Sequence, residues 1–117
     1  MNRILNVILS LSLISAISGC SVTMQTVKRG NVDASMDKTI QDAKDTLNTY
    51  GFDLQSIIGS SHDSNLIAEH IGGQKAWVEI DRLAASSTAV KVKVNKKGRD
   101  KVSADAIFDD IQARSQK

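Results

Sequence analysis

The chain has no proline, one cysteine and four aromatic residues, Tyr50, Phe52, Trp77 and Phe108, in a length of 117. Without proline nothing interrupts the ladders of long helices and strands, although the absence names no chemistry. A lone cysteine cannot close an internal disulfide, so Cys20 has to be explained by its position. So few aromatics leave no platform on which bases or sugars could stack. An excess of one charge is missing too: fifteen basic residues face thirteen acidic ones. The isoelectric point near 8.8 rests on that small difference. A nucleic-acid partner, which calls for clustered basic residues interleaved with aromatics, is therefore not expected.

What is present is globular material. With 41% hydrophobic and 24% charged residues the chain lies outside the disordered regime. Its length fits one domain with one core.

The amino terminus has its own composition. Met1-Asn2-Arg3 carries one positive charge, and Ile4 to Ile17 is apolar apart from Asn6 and three serines. Such a charged start followed by a short apolar run is the pattern of an export signal. It falls short of the roughly 20 apolar residues that span a bilayer. Ile17-Ser18-Gly19-Cys20 follows directly and resembles the lipobox of bacterial lipoproteins, with Ile17 in place of the usual leucine. That resemblance implies cleavage between Gly19 and Cys20, and a diacylglyceryl group on the Cys20 sulfur through a thioether. In such lipoproteins the residue after the cysteine sorts the protein, aspartate favouring the inner membrane. Ser21 stands here, which implies the periplasmic face of an outer membrane. A free or buried thiol at the end of a membrane helix is the bland alternative. Losing Arg3 with the leader would leave basic and acidic residues within one of each other.

Behind the leader, residues 20–30 are expected to form a tether and a possible first strand, with Gly30-Asn31 as a break or bulge, and residues 31–117 a single domain. Met36, Ile40, Ala43, Leu47 and Tyr50 recur at steps of four and three, predicting an amphipathic helix over 36–50. Ser35 suits its amino-terminal cap and Gly51 its stop. Phe52, Leu54 and Ser56 alternate with Asp53 and Gln55 in a predicted strand that reaches Ile58, and Gly59 to Asn65 reads as a loop. Leu66 to Ile71 then turns through Gly72-Gly73 into Lys75 to Leu83, where Ala76, Val78 and Ile80 oppose Trp77, Glu79 and Asp81. After a turn at Ala84 to Ser87, Val90, Val92 and Val94 alternate with Lys91, Lys93 and Asn95. A last helix starts at Ser103 with Ala104, Ile107, Phe108 and Ile111 on one face. The expected order is β-α-β-β-β-β-α: an α+β two-layer sandwich, with an antiparallel sheet of four to five strands covered by two helices.

This layout, with the lipobox, a helix ending in Tyr50-Gly51-Phe52, the Gly72-Gly73 hairpin and the Val90 to Val94 strand, resembles a family of small proteobacterial lipoproteins classed as a domain of unknown function. The resemblance spans nearly all of the mature chain and implies fold and location. It carries no catalytic residues.

Chemistry is sparse. His62, Asp63 and His70, with Glu69 or Glu79, are the residues that could hold a metal or serve a small periplasmic enzyme, yet their spacing fits no zinc pattern. His70 should share its strand face with Ala68, away from Glu69. No serine sits in a Gly-x-Ser-x-Gly elbow, and Gly72-Gly73 lacks phosphate-loop spacing. Neither cofactor nor catalytic set is expected. Lys91, Lys93, Lys96, Lys97, Arg99 and Lys101 form a basic strand and loop that could meet anionic headgroups or an acidic partner, or could simply be a solvated face. The expectation is a non-enzymatic envelope lipoprotein, attached to a membrane through its lipid, that binds or positions another envelope protein. An accessory subunit of a secretion or outer-membrane assembly system would be the more specific case.

Overall fold

A computed structural model of the protein describes residues 25–95 and 102–117. Alternating β-branched residues build five strands, β1 (Gln25–Val32), β2 (Phe52–Gly59), β3 (Asp63–His70), β4 (Lys75–Ala84) and β5 (Ser87–Asn95). Two helices, α1 (Met36–Thr49) and α2 (Ala104–Ser115), complete the order β-α-β-β-β-β-α. The sheet is antiparallel throughout, in the order β1-β5-β4-β3-β2. Hairpins link β2 to β5 in succession. The helix α1 instead carries the chain from one edge strand, β1, to the other, β2.

Both helices pack on one face. Ala68, Ala76, Val78, Ile80, Val90, Val92 and Val94 point to them and are fully or almost fully buried, together with Ala43 and Leu47 of α1 and Ile107 and Ile111 of α2. Caps match the sequence: the Ser35 hydroxyl accepts from the Lys38 N–H, and the Ser103 hydroxyl from the Ala106 N–H. Gly51 follows α1 at a φ of 84°, the left-handed conformation in which glycine is strain-free.

Three local expectations need correction. Gly30 does not break the first strand, which runs straight through it in register with Val90. Its missing side chain is used by α2: a Cβ there would lie 2.4 Å from Phe108 Cζ, so the ring rests on bare backbone. The loop expected at 59–65 is shorter, because Gly59 already pairs with Ser64. Last, a register shift between Leu54 and Ser56 inserts Gln55 as an extra residue. Ser56 thus pairs opposite Ile67, while Ile57 falls on the Leu54 side.

Leu47 is 1% exposed and sits in the core formed by both helices and the sheet. Truncating such a side chain removes its transfer energy and leaves a cavity, typically about 2 to 5 kcal/mol in all. Leu47→Ala should therefore lower the melting temperature by well over the measurement error. An unchanged melting curve would mean that this stripe is not the core face.

Candidate functional site

Among the described residues, the helices leave the second face of the sheet uncovered. Along β1 and β5 it carries Val27, Arg29, Asn31, Ala89, Lys91 and Lys93. Along β3 and β2 it carries Asp63, Asn65, Ile67, Glu69, Asp53, Ser56 and Ile58. Between them, β4 contributes Lys75, Trp77, Glu79 and Asp81. One register row reads Val27, Lys93, Trp77, Ile67 and Ser56, and the next reads Arg29, Lys91, Glu79, Asn65 and Ile58. An apolar centre of half-buried Trp77 and Ile67 is thus flanked by the exposed Val27 and Ile58. A depression of about 320 Å³ lies there between Ile58, Ile67, Trp77 and Lys93, and a second of about 490 Å³ lies between Arg29, Asn31, Asp81 and Lys91.

Charge on this face is sorted. The β1 and β5 positions hold Arg29, Lys91 and Lys93 and no acid, whereas the β3 and β2 positions hold Asp63, Glu69 and Asp53 and no base. Three cross-strand pairs set like charges directly opposite each other: Arg29 with Lys91, Asp53 with Glu69, and Asp63 with Asp81. Such pairs are unfavourable by some tenths of a kcal/mol each. The compensation inside the chain is modest, with Lys91 Nζ 3.6 Å from a Glu79 carboxylate oxygen and Lys75 opposite Glu69.

At one end of this sheet Gln74 acts as a clamp that sequence reading missed. Its side chain is 1% exposed. Nε2 donates to the carbonyls of Asn95 and Val102, both at 2.9 Å, and Oε1 accepts from the Val102 N–H at 3.2 Å. The two residues that flank the basic run 96–101 are therefore tied to the β3–β4 turn. A polar residue directly after two glycines looks like turn chemistry in sequence, and nothing local marks it as buried.

The remaining candidates are not gathered. His62 is exposed just before β3 and His70 lies at its other end, roughly 25 Å away at about 3.4 Å per residue. His70 lies edge-on to Phe52 at 5.3 Å between ring centroids, and its Nδ1 accepts the Gly72 N–H at 3.0 Å. Asp63 points to the open face and its carboxylate accepts from the Ser60 hydroxyl at 2.7 Å. Among the described residues there is no group of three or more histidines, cysteines or carboxylates placed to hold a metal. Every buried side-chain nitrogen and oxygen among them has a hydrogen-bond partner. Lys91 and Lys93 stand on the open face. Gly19, Cys20, Ser21, Lys96, Lys97, Arg99 and Lys101, like the signal at 1–19, lie outside the described residues.

Compared with models of known protein families and with curated proteins, the chain matches none. What it does has to be argued from the residues.

A perturbed ion pair lies in the seam between the helices, behind the sheet. Asp110 Oδ2 accepts from Arg114 Nε at 2.7 Å and from the Thr46 hydroxyl at 2.7 Å, joining α2 to α1, and Arg114 reaches on to the Thr49 hydroxyl at 3.0 Å. The Arg114 hydrogen bond, aided by Thr46 and opposed by partial burial, holds the pKa of the Asp110 carboxyl below its ordinary value. A depressed folded-state pKa contributes stability above the ordinary carboxylate value, and this is lost as pH falls through the lowered one. Asp110→Asn should therefore melt below the wild type near neutral pH. The gap should close in acid, below about pH 4 where unfolded aspartate is protonated. A gap of the same size at neutral pH and at pH 2 would contradict this role.

Proposed function

We propose that the chain is an exported lipoprotein of the bacterial envelope, anchored through lipid on Cys20, whose folded domain is a non-enzymatic binding or scaffold module. The observation that carries the reading is the join between signal and domain. Ile17-Ser18-Gly19-Cys20 has the residue types of a lipobox, and only four residues separate Cys20 from the first strand at Gln25. Extended at about 3.4 Å per residue, that link reaches roughly 17 Å, which would hold the domain against the headgroups.

The same end of the domain suits a membrane surface. Gln25 pairs with Asn95, and next to them the β3–β4 turn presents Ile71, 95% exposed. In sequence the basic residues Lys96, Lys97, Arg99 and Lys101 fall between Asn95 and Val102, both held by Gln74. Basic residues together with an exposed apolar side chain strengthen attachment to anionic lipid beyond the acyl chains themselves. No helix among the described residues is long and apolar enough to cross a membrane. Ser21 after the cysteine favours the outer membrane, on its periplasmic face. The resemblance to small proteobacterial lipoproteins supports the same location. The folded domain is the part that would bind or position another envelope protein, as in an accessory subunit of a secretion or outer-membrane assembly system.

The thioether requires sulfur, and a serine hydroxyl is no substitute nucleophile for the acyl-transfer enzyme. In cells fed labelled palmitate, the wild type should carry the label and fractionate with membranes. Cys20→Ser should accumulate as a longer, unlabelled precursor. Equal label on both proteins, or none on the wild type, would refute the anchor.

A further inference from the structure

We propose that the open face of the sheet is covered by the same face of a second copy of this chain, with the two-fold axis running along β4. A partner for this surface must present acids opposite the β1 and β5 half and bases opposite the β3 and β2 half. It must also be apolar in the middle. The chain itself satisfies all three conditions.

Rotation about an axis parallel to the strands and above β4 lays β5 over the partner's β3 and β1 over its β2, and brings Trp77 near its own copy. Arg29, Lys91 and Lys93 then face the half that carries Asp53, Asp63 and Glu69. Lys93 is offset by one register row from Glu69 and Lys91 by one from Asp63, roughly 7 Å along the strands, a distance that lysine stems span. Aligned sheets pack about 10 Å apart at a crossing near −30°, which leaves room for those stems beside the indole. The Arg29–Lys91 and Asp53–Glu69 pairs acquire opposite charges from the other copy; on β4 itself Glu79 and Asp81 lie over their own copies, with Lys91 of the other copy one strand to the side. An axis across the strands does the reverse: it would set β5 on β5 and stack base on base. Isologous closure of this kind also ends the assembly at two.

Area is sufficient. Five strands about 4.8 Å apart and some seven residues long cover roughly 600 Å² before side-chain relief. A specific interface takes about 600 to 1,000 Å² from each partner. If the chain is anchored as proposed above, an axis parallel to the strands also leaves both Gln25 ends on the same side, so that both tethers lead to one bilayer. The charge pairing holds with or without the anchor.

The test is the number of copies per particle of the full chain extracted in detergent, by light scattering corrected for detergent mass. Wild type should give two. Lys91→Glu with Lys93→Glu should give one, as should Asp63→Lys with Glu69→Lys, and an equal mixture of the two variants should restore two copies, one of each kind. Circular dichroism establishes that each variant is folded. The milder pair Lys91→Gln with Lys93→Gln should raise the dissociation constant at least tenfold without reversing any charge. A single-copy wild type, double variants that remain paired, or a mixture that fails to restore pairing would overturn the proposal. Palmitate labelling is read separately, so an unlabelled chain that still pairs would fail the anchor and keep the dimer.

Discussion

Both helices lie on one face of the sheet, and side-chain size sets that arrangement. Toward the helices the strands present alanine, valine, isoleucine and, at Gly30, no side chain at all, so Leu47, Ile107, Phe108 and Ile111 can settle close to the backbone. Toward the other side they present arginine, lysine, aspartate, glutamate and the indole of Trp77. The two helices, of 14 and 12 residues, pack side by side on that one face, and α1 also joins the two edge strands. Among the described residues the second face stays bare. Its chemistry is therefore available for contacts outside the chain.

The covered layer is held by polar ties as well as by packing. Thr46, Asp110, Arg114 and Thr49 join the helices, while Lys38 bridges the Asp42 carboxylate and the Arg114 carbonyl, both at 2.9 Å. The buried Thr88 hydroxyl donates to the Ala34 carbonyl at 2.8 Å, fixing the chain between β1 and α1 to β5. Gln74 performs the same service at the opposite end. These ties satisfy groups that burial would otherwise penalise, and they hold α2 and the margins of the basic run in place without adding apolar area. The open face contrasts with this: its charged groups are arranged by sign, and among the described residues only Lys91 and Glu79 form an ion pair there, at 3.6 Å.

Much of the fold was legible because two periods were clean. The three-and-four spacing from Met36 to Leu47 and the alternation of Val90, Val92 and Val94 identify their elements and their buried faces, as the structure bears out. Legibility failed where tertiary contact overrides local pattern. Gly30 looks like a break until Phe108, far along the chain, is seen to need its empty side. The bulge at Gln55 follows from pairing with β3 and has no glycine to mark it. Thr39, Asp42 and Thr46 are buried although polar, because they lie between the helices, and a stripe of apolar residues cannot show that. The candidate surface was legible only in part. The basic side of β5 was visible, but its setting among Arg29, Trp77 and the acidic half depends on strand order, and β1 joins β5 across more than fifty intervening residues.

The open face either works as a contact surface or stays in water, and the chain contains a reporter at its centre, since Trp77 is the sole tryptophan. Its fluorescence can be followed as the full chain is concentrated from dilute solution, with iodide as a quencher. If the face is covered by association, the emission should move to shorter wavelength and iodide quenching should fall with rising concentration. Emission and quenching that stay constant over the whole range would contradict the claim that this surface is used.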